Sequence, residues 1–521
     1  MTFGDYGTRS AEIFGSVSAR KSTFHVSARS FGTDGFSLVA PARRGPIDIA
    51  AWSRHRVLTA HWRQELSREV TLNATARGYE EKRGNGTPYQ RNSSREKFVS
   101  LKLAGDTRTF AWNAIGYLQD QSFASTFSGV NVTRTAETPA SDQFAVPSTA
   151  TGATWSGIWR HPDGARTNTG VDARFVRGET REHYTFAAGN FTRRRVAGGE
   201  QAVAGLFALH ERPLTPALRA TFGARIDAWR DADGHRVESD RVTQALFRND
   251  RYADREGTAF SPSAGLVWKV DANWRLRASL QRAFRRPTLN ELYRPFRVGA
   301  NVTEANPDLR TESVTSGELG ADVKADDFTA SAALFTNDLR DAVGNVTIAR
   351  GPGTFPVVGT IAAGGVGRQR LNLDRTRVRG LELSAKWTPT ARPFGLVAGA
   401  LFNDATVRRT ALARALVGNR VAQVPRFNAS LGGTWSAASK LTFTPRVRYI
   451  GRQFEDDENQ LTLGAVVVTD VGVNYELTRH LTVFLNCENV SNARIETGRS
   501  ADGIVNIGTP RLVIGGLRGS W

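Results

Sequence analysis

Arginine dominates the groups able to do chemistry. Lys+Arg number 69 against 50 Asp+Glu, a formal net charge of +19, and lysine is scarce. A guanidinium stays charged and offers a fork of N–H donors, so it suits carboxylates, phosphates and other anions. Arg77, Arg219, Arg225, Arg275, Arg277, Arg446 and Arg448 each alternate with apolar neighbours. Gathered on one face, they form a positive wall that focuses a field on anionic ligands. Alternatively they pair with Asp and Glu of adjacent segments, and both readings stay open. Nucleic acid is not expected as a partner, because the cations are spread along the whole chain rather than clustered in a tail or groove.

The other reactive groups form no catalytic set. Eight His are scattered, with no HExxH and no pair at ligand spacing. His25, His55 and His61 lie in alternating stretches and read as interfacial or interior groups. The single Cys excludes disulfides and Cys-based metal centres. Cys487 shares an apolar face with Leu481, Val483 and Leu485. Asp456-Asp457-Glu458-Asn459 either binds calcium through its oxygens or is a solvated loop tip. Gly364-Gly365-Val366-Gly367 precedes a polar strand rather than a helix, so it reads as a loop. There is no GxSxG elbow and no Walker A motif. No cofactor, no metal site and no enzymatic activity are expected.

The elements that must position these groups are strands. Trp274, Leu276, Ala278 and Leu280 oppose Arg275, Arg277, Ser279 and Gln281. Leu441, Phe443, Val447 and Tyr449 oppose Thr442, Thr444, Arg446 and Arg448. Leu218 to Ala228 repeats the pattern around Arg219 and Arg225. A period of two places alternate side chains on opposite faces of a strand. Such strands are too numerous for one soluble core. No run of about 18 apolar residues exists to make a spanning helix. Short turns (Arg20-Lys21, Gly105-Asp106, Asp271-Ala272-Asn273) alternate with long polar connections (84–94, 129–151, 230–255). That layout predicts a single all-β domain over residues 1–521, a transmembrane antiparallel β-barrel of about 22 strands. Trp112, Tyr117, Trp155, Trp159, Trp268, Trp274, Trp387 and Tyr475 suit interfacial girdles. The closing RLVIGGLRGSW places Val513, Leu517 and Trp521 on one face, like a C-terminal insertion signal with unusual glycines.

Several motifs then carry a family resemblance: AFRRPTLNELY at 283–293, NPDLRTE at 306–312, RVRGLE at 377–382 and VPR at 424–426. ENVSNARIETG at 488–498, TPRLVIGGLR at 509–518, and the opening GDYGTRSAEIFGSVSA with SARSFGTDGF extend it. Together they resemble the barrel of TonB-dependent outer-membrane receptors, strongly in the C-terminal half and more loosely between about residues 93 and 261. The resemblance implies active uptake of a scarce nutrient such as a ferric siderophore, haem, cobalamin or an oligosaccharide, across the bacterial outer membrane. It implies lipid and lipopolysaccharide as partners, with Arg375, Arg377 and Arg379 placed to meet lipopolysaccharide phosphates. It implies TonB coupling through a plug. This sequence shows no plug, TonB box or signal peptide, and Met1 to Thr8 reads as the outer end of a truncated first strand with its loop. The outer loop holding Asn290, Glu291, Tyr293 and Phe296 is the candidate for contact with an unknown small-molecule ligand. A plug-less passive pore or a non-functional receptor fragment is the alternative, and an adhesin-like or enzymatic barrel a third reading.

Overall fold

A computed structural model describes residues 1–521 except 391 and 521, so the predicted role of Trp521 lies outside the described residues. The chain forms a closed antiparallel barrel of 22 strands with almost no helix. The first eleven are β1 (Thr2–Gly4), β2 (Thr8–Ala19), β3 (Ser22–Phe36), β4 (Ala51–Glu65), β5 (Val70–Gly84), β6 (Arg91–Asp106), β7 (Phe110–Val130), β8 (Glu137–Arg160), β9 (Arg166–Ala187), β10 (Asn190–Pro213) and β11 (Leu218–Asp240). The rest are β12 (Arg255–Lys269), β13 (Trp274–Arg285), β14 (Glu312–Ala325), β15 (Phe328–Arg350), β16 (Val366–Trp387), β17 (Phe394–Arg409), β18 (Phe427–Ala438), β19 (Leu441–Ile450), β20 (Val466–Thr478), β21 (Leu481–Glu488) and β22 (Leu512–Gly519). Closure is made by β1, three residues long, which pairs with β2 on one side and with Ile514–Gly516 of β22 on the other. Closing the sheet leaves no row of N–H and C=O groups facing lipid.

The register explains the alternation. Around the wall, Ala278, Leu319, Leu334, Leu381 and Phe402 stand directly opposite one another on β13, β14, β15, β16 and β17. Leu319, Leu334, Leu383 and Phe402 are exposed on the outer surface, the apolar band that lipid must cover. Trp62, Trp155, Trp159, Trp268, Trp274 and Trp435 are exposed near the ends that carry the short turns. An indole ring with an apolar body and one N–H suits that boundary. Tyr117 departs from the girdle expectation. Its strand neighbours Gly116 and Leu118 face lipid, so its ring turns inward and stacks on Phe98 at 6.2 Å.

Two of the expected long loops are mostly strand. Residues 129–151 belong largely to β7 and β8, joined by a short turn at 131–136. Residues 230–255 belong to the top of β11, a paired segment Leu246–Arg251 and the start of β12. These hairpins rise above the apolar band, where neither face needs to be apolar, so hydropathy alternation fades while backbone pairing continues. The Gly105-Asp106 turn also moves on: β6 includes both residues and the turn follows at 107–109.

Inward-facing aromatics lie across glycines of the neighbouring strand. A Cβ on Gly152 would sit 2.5 Å from the Tyr117 ring, and one on Gly380 would sit 2.3 Å from Phe335. The glycines are notches that let a large ring lie flat on the wall, which offsets their own poor strand propensity. Gly152→Val or Gly380→Val should lower the unfolding temperature, at a cost of about 1–3 kcal/mol from overpacking. Gly116→Ala, where a Cβ meets nothing within 4 Å, should leave it nearly unchanged. Heat-modifiable mobility on gels checks both.

Candidate functional site

The end with long connections is the outer end of such a barrel, and one connection there crosses the mouth. Residues 286–311 leave β13 and return to β14. In between, a short helix α1 (Leu289–Tyr293) packs on β10 and β11, Phe296–Val298 approaches β7 and β8, and Asn301–Glu304 pairs in parallel with β16. Strands 7, 8, 10, 11 and 16 are spread around the ring, so the segment lies over the opening rather than along its rim.

Local chemistry sets its path. Thr288 caps α1: the Glu291 N–H donates to its Oγ1 at 3.3 Å, and the Thr288 N–H donates to the Glu291 carboxylate at 2.7 Å. This reciprocal capping satisfies two otherwise orphaned donors. Arg285 then clamps Glu291 and Glu312 with N–H···O contacts of 2.6–3.1 Å. Tyr293 is 2 % exposed and stacks on Tyr252 with ring centroids 5.1 Å apart. A Cβ on Gly234 would fall 2.6 Å from the Tyr293 ring, and Gly199 is nearly as close. Arg286 stacks its guanidinium 3.3 Å over the Trp229 ring and pairs with buried Asp231. Further along, Glu304 accepts from Arg236 at 2.5 Å, which joins the crossing to a buried group of Glu238, Arg195, Glu182 and Tyr184. Burial alone would raise the Glu238 carboxyl, but Arg195 and Arg236 hold it down to about 2.

Beside Phe296 lie two cations with little compensation, and a third, the exposed Arg297, follows it in the chain. Arg294 and Arg370 stand 5.8 and 5.4 Å from the Phe296 ring centroid. Arg370 donates to the Asn290 and Arg294 carbonyls at 2.6 and 2.8 Å, and Arg297 donates to the Thr360 carbonyl at 2.8 Å. Among the described residues none of the three has a carboxylate within salt-bridge distance, and the Arg294 Nε is buried without a hydrogen-bond partner. Burial pushes Arg294 down, and burial together with Arg294 brings Arg370 to about 10. Such a group favours an incoming anion.

The four loop candidates are therefore brought together but used differently. Glu291 and Tyr293 are consumed in holding the crossing, Asn290 lends its carbonyl to Arg370, and Phe296 sits among the guanidiniums. Arg294, Arg297 and Arg370 escape sequence reasoning because nothing local marks them; their partners come from other strands. Gly198-Gly199 and Gly234, glycines inside strands, were the one available signal for the Tyr293 socket.

The barrel arginines line the inner face and are mostly paired. Arg219 meets Glu211 at 2.5 Å, Arg225 meets Asp172 and Asp227 at 2.6 and 2.5 Å, and Arg275 and Arg277 share Asp322. Arg448 meets Asp470 at 2.9 Å, and Arg446 lies opposite Asp470 in register. Arg77 meets Glu96 at 2.5 Å. The acidic run 456–459 is neither a free tip nor an ion cage. Asp456 is buried and accepts from the Gln460 and Leu461 N–H groups, Asp457 accepts from the Thr347 N–H and hydroxyl, Glu458 pairs with Arg350, and Asn459 binds Arg420 backbone. No group of three or more His, Cys, Asp or Glu able to hold a metal occurs among the described residues.

Glu291 gives the crossing a pH dependence. Burial works to raise its carboxyl, but the Arg285 and Thr288 hydrogen bonds outweigh that and hold it below the usual carboxylate range. A depressed carboxylate stabilises above its unfolded pKa and loses that contribution as pH falls through the folded value. Hydrogen exchange at residues 286–311 should therefore rise as pH drops below the ordinary Glu range. Thr288→Ala should produce a similar loosening at neutral pH, worth about 1 kcal/mol.

The family described as "TonB dependent receptor-like, beta-barrel" matches residues 30–490. The chain is 24% identical over 237 residues to the iron-regulated outer membrane virulence protein of Vibrio cholerae serotype O1 (strain ATCC 39315 / El Tor Inaba N16961). That match covers 44% of this chain and spans only 35% of the relative's length. The ferric yersiniabactin uptake receptor FyuA of Yersinia pestis superimposes with a TM-score of 0.77 at 13% identity, covering 100% of this chain and 79% of that one. The siderophore receptor PiuA of Acinetobacter baumannii gives 0.77 at 13%, covering 100% and 80%. The copper transporter OprC gives 0.77 at 14%, covering 100% and 79%. At these identities the solved structures establish likeness of fold.

Proposed function

The chain belongs to the TonB-dependent receptor-like β-barrel family, and we propose that it forms the barrel of a bacterial outer-membrane receptor for active uptake of a scarce, anionic nutrient complex. A ferric siderophore is the favoured cargo, with haem or cobalamin behind it. The observation that carries this reading is the pair Arg294 and Arg370 beside Phe296, without a carboxylate partner among the described residues and held over the mouth by a braced crossing. An aromatic face beside uncompensated guanidiniums suits a ligand that is both anionic and flat or aromatic. The similarity to siderophore receptors supports the same choice. In this reading the paired arginines of the inner face form the wall that a plug meets, and TonB acts through that plug. The chemistry is binding and gated passage; no bond in the cargo is made or broken.

Expression in a receptor-deficient Gram-negative strain, with radiolabelled iron offered as ferric chelates or haem, tests the proposal. Uptake should saturate, stop when the proton-motive force is collapsed, and bind its cargo about tenfold more weakly after Arg294→Gln. Uptake that rises linearly with concentration and ignores the proton-motive force would instead support a passive pore.

A further inference from the structure

Several glycines of the inner wall lie beneath a neighbouring side chain: Gly170 under Phe207, Gly320 under Arg277 and Gly205 under Arg225. On β17 and β18 the inner glycines lie open instead. A Cβ on Gly432 would meet nothing closer than 3.9 Å, and one on Gly399, a rung higher, nothing closer than 3.6 Å. One rung of the inner face runs Lys386, Val397, Gly432 and Arg446 across β16 to β19. Val397, Gly432 and Thr434 floor a cleft of about 820 Å³ with Lys386 on one side and Arg446 on the other. The cleft reaches Thr388 and Pro393 at the short-turn end. Val397 is 55% exposed, so the floor presents one apolar surface to the lumen. Lys386 and Arg446 are exposed too, and among the described residues neither has a carboxylate within 4 Å. Asp470 stands opposite Arg446, but its oxygens accept from Arg448 at 2.9 and 3.1 Å and from the Asn489 N–H at 3.0 Å. Glu488 is the other carboxylate at the edge. β16 joins this cleft to the mouth, since it carries Arg370 near its upper end and Lys386 near its lower end.

We propose that this cleft is a second binding site for an anionic solute, a lower station on the way from the mouth to the short-turn end. It rests on the reading of the chain as an uptake barrel for an anionic cargo. Three gaps between adjacent strands set Lys386 and Arg446 roughly 14 Å apart, wide enough for a small molecule to lie between them. The guanidinium offers a planar fork to a carboxylate or phenolate, and the ammonium is a point charge on a stem that follows the solute. Val397 and the bare backbone of Gly432 give the solute's apolar face a place to lie. Both cations stand in open water, which screens them and keeps the hold weak. A station on a route needs that weakness, because what binds there must also leave.

The test has two readouts on the whole chain. In a Cys487→Ser background, Thr434→Cys places a single thiol on the cleft floor. In neutral-detergent micelles that thiol should favour an anionic over a cationic methanethiosulfonate by about tenfold, relative to a free thiol. K386Q/R446Q should abolish the preference, and Ser263→Cys on the inner face of β12 should behave like the free thiol. In cells supplied with radiolabelled ferric chelates, Gly432→Leu should cut the maximal uptake rate and leave binding at the mouth unchanged. Gly265→Leu, on β12 where a Cβ also has room, should change neither. Heat-modifiable gel mobility shows which variants fold; if Gly432→Leu does not, K386Q/R446Q replaces it and should lower the same rate. A thiol preference that survives K386Q/R446Q overturns the anion site, whatever uptake shows. Normal uptake by folded Gly432→Leu, or equal losses in Gly432→Leu and Gly265→Leu, overturns its place on the route. Absence of energised uptake by the wild type counts against the receptor reading, and the thiol readout still decides the cleft.

Discussion

Inside a bilayer every backbone N–H and C=O must find its partner within the protein, since hydrocarbon offers none. A sheet meets that demand only by closing on itself, and the pairing of β1 with both β2 and β22 is where this chain does so. Closure then dictates the rest. Each strand has one side toward lipid and one toward the interior, so a strict alternation of side chains is imposed along its length. The glycine notches under Tyr117 and Phe335 are a secondary consequence: a curved wall lined with large rings needs places where the neighbouring strand has no side chain.

Charge is sorted by the same geometry. On the inner face, arginine is matched locally, as with Arg225 between Asp172 and Asp227, so the wall is polar without carrying a large field. The formal surplus of +19 is spread more widely. Part of it lies over the mouth around Phe296 and part in the cleft between Lys386 and Arg446, where the matching on the inner face lapses. The two positive regions differ in kind. The first is partly buried and built where one crossing segment meets β16, which suits selectivity. The second is exposed and low on the wall, which suits brief contact. Neither is what a nucleic-acid protein would show, where the cations follow one groove.

What the sequence made legible was whatever obeys period two. Arg275 and Arg277 against Leu276 and Ala278 can be assigned to opposite faces without coordinates, because lipid and lumen impose opposite polarity. Above the band that contrast disappears, so 129–151 and 230–255 read as loops although they are paired strand. Tyr117 misleads for a related reason: an aromatic near a strand end suits either face, and only its parity with Gly116 and Leu118 decides. The acidic run 456–459 looks like a solvated tip because its partners Thr347, Arg350 and Arg420 are distant in the chain. The same distance hides Arg294 and Arg370. The sequence points to the loop of Asn290, Glu291, Tyr293 and Phe296, which crosses the mouth, but not to which of its side chains remain free.

The segment 286–311 is fixed at separate points of a ring: Tyr293 in the socket of β10 and β11, Phe296–Val298 beside β7 and β8, and Asn301–Glu304 along β16. A chord tied across a hoop resists ovalisation. Lateral pressure in a membrane acts to flatten a wide, thin-walled cylinder, and above the bilayer no lipid supports its rim. With the chord in place, squeezing the rim along one diameter has to stretch or buckle a strut anchored by a capped helix turn, a stacked tyrosine and a strip of backbone pairing. The roundness of the entrance, and hence the size of what fits through it, then depends on this one tie-rod more than on the stiffness of the strands beneath.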